Sequence, residues 1–391
     1  MVQAVRTPLS SRGRPLLLYH PDFLKYDFRS DHALREERVK LARDLIEALG
    51  LLSGAEERKP EPAGDADVLA VHDATYVRVL KRLSEWPGVS EPDFGLEPGD
   101  NPPFRGMYDA ALLQAGATLL ACDLVVRGNA TRAYNLGGGF HHAMPRRASG
   151  FCILNDIAIG IHHLLETGIR RVLYVDIDGH HGDGVQAMFY RDARVLTISL
   201  HEDGRFLFPG TGSVAELGEG EGRGYSVNVP LPPHTSDLSW TKAFDSVVMP
   251  LAEAFRPEVL LTQTGADAHT TDPLTHLDLT TESYEHAGGR FDEIARRWCE
   301  DRWVAVGGGG YDVTTVPRVW TLLFGALVRR RPANALPEDW LRECRQLARR
   351  EPKDGTLRDP LSVPEETHVS RAVEKVIQDV RASIFPIHGI R

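Results

Sequence analysis

The sequence is poor in cysteine, and this scarcity limits the chemistry that thiols can perform in the protein. Its 391 residues contain four scattered cysteines and no Cys-x-x-Cys pair: Cys122, Cys152, Cys299 and Cys344. Single, widely spaced cysteines exclude a cysteine-based zinc cluster. They are typical of proteins kept in a reducing compartment, so we expect a cytoplasmic protein.

Long apolar runs and an excess of basic residues are also missing. No continuous apolar run approaches the roughly 20 residues that span a bilayer. Residues 1–20 lack the apolar core of a secretory signal. The formal net charge is −10, whereas a nucleic-acid surface needs a basic stripe. We therefore expect no membrane and no nucleic-acid partner, and an acidic balance that suits basic partners such as lysine-bearing segments.

The most informative stretch is RVLYVDIDGHHGDGVQAMFY, residues 171–190. Its apolar run predicts a buried strand of a parallel sheet, and five acids and imidazoles follow within eight residues: Asp176, Asp178, His180, His181 and Asp183. Residues two apart point to the same side of an extended strand, so Asp176, Asp178 and His180 can share a face. Such charges are costly beside an apolar strand without a partner. Helix caps and solvated loop charges are the alternative, but the density of charge favours a divalent cation held by Asp178 and His180.

Polar residues follow three other predicted strands. His141 and His142 come after three glycines, and imidazoles suit proton transfer because they titrate near neutral pH, although exposed loop histidines are the alternative. Asp267 follows the strand 259–264 and would complete the metal shell; alone it would be a helix cap. Tyr311 follows four glycines and offers a phenol to an oxyanion. Arg38 lies near an apolar helix face and either extends to solvent or reaches a buried anion.

Strands alternate with helices through most of the chain, with no linker-like break and no internal repeat. This order predicts an α/β fold with a largely parallel sheet flanked by helices and a site at the carboxyl ends of the strands. We expect one domain over residues 1–391, with a core at about 19–327 and a helical extension at about 328–391. Helices are predicted from Asp31 to about Leu49, over 107–126, 153–166 and 241–255, and a loop at 56–64.

These motifs together resemble the zinc-dependent histone deacetylase family, most closely its bacterial acetoin-utilisation-type members. The landmarks occur in order between about Tyr19 and Leu327: GGGFHHA, SGFCILNDIAI, YVDIDGHHGDGV, FPGTG, YSVNVPL, QTGADAH and GGGGYD. The resemblance implies an arginase/deacetylase-like fold. It also implies a metal-activated water that removes acetyl groups from lysine side chains.

The resemblance assigns roles position by position. Asp178, His180 and Asp267 look like three ligands of Zn²⁺, with Fe²⁺ as the alternative. The remaining catalytic positions match a general base with its orienting carboxylate, a charged imidazole with its carboxylate, and the oxyanion-binding phenol: His142 with Asp183, His141 with Asp176, and Tyr311.

The resemblance also implies a substrate channel and two structural potassium sites. The channel would be formed by Gly150, Phe151, Phe208 and Leu274, with Asp100 at the rim and Arg38 at the inner end; Gly99 stands where many relatives carry an aromatic residue. The inner potassium would be held by Asp176, Asp178, His180, Ser199 and Leu200. The outer potassium would be held, mainly through carbonyls, by Phe189, Asp192, Val195 and Tyr225.

The sequence therefore predicts a metal-dependent lysine deacetylase acting on acetylated, or otherwise acylated, proteins or peptides. A deacetylase of acetylpolyamines or other small amides is the main alternative. A non-catalytic acyl-lysine binder and an arginase-type binuclear manganese hydrolase are weaker alternatives, because the catalytic set is complete and a second ligand set is missing. No pattern predicts an oligomeric state.

Overall fold

The computed structural model describes residues 13–28, 31–352 and 354–391. Most of the stretch on which the absence of a signal segment was predicted, residues 1–12, lies outside this part. The strands are β1 (Leu16–Leu18), β2 (Glu56–Arg58), β3 (Arg132–Asn135), β4 (Val172–Asp176), β5 (Val195–Glu202), β6 (Ser226–Leu231), β7 (Val259–Gln263) and β8 (Trp303–Val306). The α-helices are α1 (Glu37–Ala48), α2 (Asp65–Leu69), α3 (Ala74–Glu85), α4 (Met107–Val126), α5 (Asp156–Glu166), α6 (Asp183–Phe189), α7 (Asp237–Phe255), α8 (Thr281–Trp298), α9 (Thr315–Leu327), α10 (Glu338–Leu347) and α11 (Thr367–Ile384).

The strands form one sheet in the order β2-β1-β3-β8-β7-β4-β5-β6, and every described neighbouring pair is parallel. The central strands are buried along their whole length, as expected of a parallel sheet with helices on both faces. Helix α4 packs on α5, while α1, α9, α8, α7 and α11 pack in a continuous row. The predicted single α/β domain with a parallel sheet is confirmed.

Several predicted boundaries are wrong, two of them where a side chain redirects the backbone. The first long helix begins at Glu37 rather than Asp31: the ring of His32 accepts a hydrogen bond from the Leu34 amide and forms a separate turn. Helix α5 begins only after Asn155, whose side chain caps the Ala158 amide. The predicted loop at 56–64 starts instead with the edge strand β2, which pairs with β1.

Two further expectations need correction. Helix α7 starts at Asp237, four residues earlier than predicted, because that carboxylate binds the amide and hydroxyl of Thr280 and is buried there.

Helix α4 is long and apolar enough to cross a membrane by length and composition, although no continuous apolar run of that length was seen in the sequence. Of its most apolar window, 67% is buried inside the structure, so packing in the core accounts for its composition.

The strand order explains where the polar segments meet. Strands β3, β8, β7 and β4 are consecutive neighbours at the centre of the sheet. Their carboxyl ends lead, respectively, into the loops that carry the adjacent histidines, Tyr311, Asp267 and Asp178. Because parallel strands end at one edge, four loops distant in sequence converge above that edge.

Candidate active site

A buried group of two carboxylates and one imidazole lies at the carboxyl ends of β4 and β7. Asp178, His180 and Asp267 each offer one ligand atom, and these atoms lie within 4.8 Å of one another. The Nδ1 atom of His180 is 2.8 Å from Asp267 Oδ2 and 3.3 Å from Asp178 Oδ1. Oxygen and imidazole donors of this kind suit Zn²⁺ or another divalent ion of similar character. The arrangement fits a metal.

The electrostatics of this group favour a cation at its centre. Burial, and then the charge of Asp178, raise the pKa of Asp267 to about 6, so the two carboxylates resist being ionised together. Burial opposes the charged form of His180, but the hydrogen bonds and charges of both carboxylates outweigh it and raise the His180 pKa well above its usual value. A divalent cation would neutralise the surplus negative charge that a proton on His180 otherwise balances.

The two adjacent histidines are each paired with a different buried carboxylate. His141 Nδ1 lies 2.8 Å from Asp176 Oδ2, and His142 Nδ1 lies 2.7 Å from Asp183 Oδ1. Their Nε2 atoms face each other at 3.0 Å. Both Nδ1 atoms are bound to carboxylates, and the two Nε2 atoms are within hydrogen-bond distance of each other beside the cavity.

The same surroundings give the two imidazoles opposite protonation preferences. Burial disfavours the imidazolium of His141, but Asp176 and Asp178 outweigh that effect and raise its pKa to about 9. Burial, and then the positive charge of His141, lower the pKa of His142 to about 4. Within this pair, His141 therefore favours the charged imidazolium and His142 favours the neutral imidazole.

Tyr311 lies where two glycine-rich loops touch. Gly139 has a φ of +105°, and a Cβ there would lie 2.6 Å from the carbonyl carbon of Gly307, so the β3 and β8 loops are in direct backbone contact. The Tyr311 amide donates to Asp272 Oδ2 at 2.7 Å, and this bond holds the Tyr311 backbone in place. Burial, and then the charge of Asp267, raise the pKa of its phenol well above the usual value, so the phenol stays a donor.

A narrow cavity of about 20 Å³ connects these groups. Its walls include His141, His142, Phe151, Asp178 and Tyr311. The Phe151 ring packs edge-on against Tyr311, with centroids 5.6 Å apart. The structure thus brings the histidine pair, one metal-group carboxylate and the phenol around one space.

The other predicted channel residues surround this cavity at different distances. Gly150 lines it, and the half-exposed Phe208 packs edge-on against His142 at 5.1 Å between centroids. Leu274 is linked to Tyr311 through Asp272, whose Oδ1 accepts the Leu274 amide at 2.9 Å. Asp100 is exposed, and its carbonyl lies 3.2 Å from His32 Nε2. The ring of His32 in turn packs against Phe151.

Arg38 does not extend to solvent. It is 4% exposed, and its Nη1 donates to the carbonyls of Gly308 at 2.9 Å and Gly310 at 2.8 Å. Its guanidinium lies over the Trp320 ring, 5.3 Å from the centroid. Arg38 therefore holds the glycine run before Tyr311 from behind, and the solvent-exposed alternative is wrong.

The residues of the two predicted potassium sites lie near β5, the inner set beside the end of β4 and the outer set around the starts of β5 and β6. Asp176 and Ser199 are register partners in neighbouring strands, and Leu200 follows in β5. The outer set is compact: the Phe189 carbonyl accepts the Asp192 amide at 3.0 Å, and the Asp192 carbonyl accepts the Val195 amide at 3.2 Å. The carbonyl of Tyr225 accepts the Thr197 amide at 2.9 Å. Potassium at either position stays a prediction.

Sequence reasoning missed residues that support the site from behind. Gln263 Nε2 donates to Asp178 Oδ2 at 2.6 Å, and the Gly309 amide donates to the same oxygen at 2.8 Å. Tyr174 donates its hydroxyl to Asp176 Oδ2 at 2.6 Å. A signal existed for Tyr174, which lies two residues before Asp176 and so shares its side of the strand. For Gln263, a neutral residue on another strand, no local pattern points to Asp178.

Comparison with known proteins places the fold and this site in a family. Residues 32–327 match the model of the histone deacetylase domain. The chain therefore belongs to the histone deacetylase family, and it is a deacetylase-family hydrolase. The family implies a divalent metal, and the buried Asp178, His180 and Asp267 group is present to bind one.

Within the family the chain is an AcuC-like member. It is 40% identical over 329 residues to the acetoin utilization protein AcuC of Bacillus subtilis, covering 83% of this chain and 85% of that protein. It is 38% identical to AcuC of Staphylococcus aureus strain MRSA252 over 330 residues, with 83% and 84% covered. The crystal structure of a histone deacetylase homologue from Aquifex aeolicus superposes with a TM-score of 0.84 at 30% identity, covering 93% of this chain and 100% of that one.

Proposed function

We propose that the protein removes acetyl, or short acyl, groups from the ε-amine of lysine side chains in proteins. The observation that carries this proposal is the convergence of the two histidine–carboxylate pairs with Asp178 and Tyr311 on one narrow cavity. Phe151 lines this cavity, and Phe208 packs edge-on against His142. We infer that these two rings form the walls of a channel for a linear alkyl chain that ends in an amide.

The metal group supplies the electrophile. We assign Zn²⁺ to Asp178, His180 and Asp267, with Fe²⁺ as the alternative. When bound, the ion supplies Lewis acidity toward the amide carbonyl and lowers the pKa of a coordinated water toward ~7.

The histidine pair manages protons in this proposal. His142 is neutral and its Nδ1 is held by Asp183, so its Nε2 accepts the proton of the attacking water and later protonates the departing lysine amine. His141 stays charged beside Asp176 and stabilises the negative charge that develops. Tyr311 donates its phenol hydrogen to the oxyanion, a contact made only in the transition state.

We favour a lysine chain over a polyamine, because Asp100 at the rim is assigned to the backbone amides of a peptide and the two other acids considered bind neighbouring groups. A second cationic amine would need a charged carboxylate near the mouth. Asp272 is the nearby candidate, but it binds the amides of Tyr311 and Leu274. Burial, and then the charge of Asp267, raise its pKa well above the usual value, which disfavours the charged form. Asp203, directly after β5, is paired with Arg205 at 2.5 Å.

The same proposal extends to partners, ions and location. The partner is an acylated protein or peptide, with Asp100 at the rim binding its backbone amides. Potassium in the two predicted sites has a structural role. The protein acts in the cytoplasm, in agreement with four free and buried cysteines among the described residues.

The test is hydrolysis of a fluorogenic acetyl-lysine peptide beside acetylspermidine and acetylputrescine. The protein is reconstituted with Zn²⁺ and assayed with and without a hydroxamate. A histone deacetylase homologue similar to this chain has been crystallised in complex with SAHA, so inhibitor sensitivity is a natural readout for the family. We expect inhibitor-sensitive cleavage of the peptide.

Other outcomes would redirect the proposal. Cleavage of the polyamines alone would make the small-amide deacetylase correct. If the metal-bound protein hydrolyses none of these substrates, acetyl-lysine hydrolysis is contradicted. A longer acyl group as substrate or a binding role would then remain. The variant His142→Ala separates base from ligand: it should lose hydrolysis and keep its metal, and loss of the metal would reassign His142.

A further inference from the structure

The chain that follows the family-matched residues returns to the active-site edge of the sheet. The family match ends at residue 327, but residues 356–365, which we call the strap, run back over the β7–α8 and α7 segments. The Leu357 amide donates to the Asn334 carbonyl at 2.7 Å, and Glu365 accepts the Ser236 amide at 2.8 Å. Between these anchors, Asp359 points into the body of the protein.

The Asp359 carboxylate binds three separate elements. Its Oδ2 accepts from His269 Nε2 and from the Thr281 amide, each at 2.9 Å. Its Oδ1 accepts from Arg318 Nη2 at 2.5 Å. Burial alone would raise the pKa of this carboxyl, but the hydrogen bond from His269 and the charge of Arg318 outweigh it and hold the pKa far below the usual range. Asp359 is therefore a fixed negative charge.

His269 connects Asp359 to the loop that carries the metal-group residue Asp267. It is 1% exposed, and its Nδ1 accepts the Thr271 amide at 3.1 Å, which leaves the ring proton on Nε2 to donate to Asp359. His269 lies two residues after Asp267 in the loop between β7 and α8. The loop is thus held at two points. Asp267 is bonded to His180 within the metal group, and His269 is bonded to Asp359 of the strap.

Arg318 connects Asp359 to the helix that follows the Tyr311 loop. It lies on α9, which follows the loop that carries Tyr311. The hydroxyl of Thr271 in the β7–α8 loop is 2.9 Å from the hydroxyl of Thr315 at the start of α9, so the two loops are also joined directly. One carboxylate therefore ties together the segments that carry Asp267 and Tyr311.

We propose that Asp359 is a positioning residue of the active site, and that the strap is part of the framework that holds Asp267 and Tyr311 in place. Loss of a group that is hydrogen-bonded directly to a metal ligand typically costs about 10–100-fold in metal affinity or activity. Asp359 acts through His269 and the loop rather than on a ligand directly, so we expect the lower end of that range. The turnover readout rests on the proposed function, whereas the metal-affinity readout does not.

The test compares Asp359→Asn with a matched control, Glu285→Gln. The control removes an ion pair from the same strap, because Glu285 binds Arg358 at 2.7 Å, but it touches neither active-site loop. Zn²⁺ affinity is measured by competition with a chromogenic chelator, and kcat and KM are measured on the acetyl-lysine peptide. We expect Asp359→Asn to weaken Zn²⁺ binding and lower kcat, each about tenfold, with KM unchanged. Glu285→Gln should change only the Tm.

Two results would overturn the proposal: wild-type Zn²⁺ affinity and kcat in Asp359→Asn, or equal losses in Glu285→Gln, which would indicate general destabilisation. If Asp359→Asn does not fold, His269→Leu replaces it, because it removes the donor and leaves Asp359 bound to Arg318. It should show the same losses, and wild-type values would again overturn the proposal. If the wild-type protein hydrolyses no acyl-lysine, the proposed function fails, while the Zn²⁺ affinities still decide the role of Asp359.

Discussion

At the scale of single residues, the site depends on small differences between like groups. His141 and His142 are neighbours in the chain and have the same intrinsic pKa, yet their pKa values shift in opposite directions. Asp176 and Asp178 outweigh burial at His141, whereas burial and then the charge of His141 dominate at His142. The carboxylates differ in the same way: Asp183 is held below its usual pKa, whereas Asp267 is raised beside Asp178. Environment, not residue type, assigns each group its task.

The Asp176→Asn substitution tests this assignment through the pH profile. The Asp176 carboxylate stabilises the imidazolium of His141, so its loss lowers the His141 pKa, and the charge is lost at lower pH. We expect the alkaline limb of the kcat/KM profile to move to lower pH, with the metal content unchanged. A wild-type alkaline limb in this variant would remove the charged His141 from the mechanism.

The Tyr311→Phe substitution removes one donor and little volume. Since an oxyanion donor acts only in the transition state, we expect kcat to fall by about 10²–10³ with KM nearly constant. Metal content, measured by elemental analysis, should equal that of the wild type. An unchanged kcat would exclude Tyr311 from the reaction.

Glu36 offers a prediction about stability. It is 6% exposed, its Oε1 has no hydrogen-bond partner, and burial raises its pKa to about 7 although Arg38 is 3.9 Å away. A carboxyl whose folded pKa is raised stabilises the fold below the unfolded pKa and loses that contribution as pH rises toward the folded pKa. We expect the contribution of Glu36 to the free energy of unfolding to fall by about 3 kcal/mol between pH ~4.5 and pH ~7.5.

The matching variant is Glu36→Gln, which imitates the protonated form. Chemical denaturation across this pH range should show a flatter profile for Glu36→Gln, with the variant more stable than the wild type on the alkaline side. Parallel profiles in the two proteins would show that Glu36 does not titrate with folding.

At the scale of elements, loops rather than strands carry the chemistry, and the strands only bring the loops together. The β3 and β8 loops meet at Gly139 and Gly307 with no room for a side chain. Arg38 from α1 and Gln263 from β7 then hold this double loop against Asp178. The geometry of the site is therefore set by the backbone contact between these loops and by the side chains that hold them.

The Gly139→Ala substitution tests that contact. A Cβ at this position would lie 2.6 Å from the Gly307 carbonyl carbon, and the φ of +105° is unfavourable for alanine. We expect the two loops to separate, with a loss of kcat of at least about tenfold and a lower Tm. Gly289→Ala is the control, because a Cβ there meets nothing within 4 Å. Wild-type kcat in Gly139→Ala would show that the loops tolerate separation.

At the scale of the whole molecule, the residues after the family match complete the core. Helix α11 packs on α7 and on the edge strand β6. It buries five aliphatic residues there: Val369, Val373, Ile377, Val380 and Ile384. The predicted C-terminal helical extension is thus structurally continuous with the sheet that carries the site.

Truncation after residue 366 tests this continuity. Each buried aliphatic side chain contributes about 1.5–3 kcal/mol, and five of them together match the whole stability of many domains, about 5–15 kcal/mol. We expect the truncated chain not to fold, with no cooperative thermal transition. Lys375→Ala on the exposed face of the same helix is the control and should keep the wild-type Tm within a few degrees. A cooperative transition in the truncated chain would make α11 dispensable.

The fold and most of the candidate site could be predicted from the sequence. Apolar periodicity predicted the strands and most helices, because burial on one face leaves a local pattern. The acids and imidazoles at strand ends indicated a site, because parallel strands end at one edge, and the residues of the metal group and of the histidine pair were all named. The errors fell at element ends such as Asp31, where one side-chain hydrogen bond decides the boundary.

Only the tertiary structure decided which of these groups face one another. The bond of Gln263 to Asp178, the bond of Arg38 to the Gly310 carbonyl, and the anchor of Asp359 on His269 join residues 85, 272 and 90 positions apart. No local pattern encodes such pairs, because any buried charge needs a partner but the chain does not state which one. The sequence by itself determined the chemistry available at the sheet edge. The packing of distant loops determined its protonation, its geometry and the contribution of the C-terminal strap.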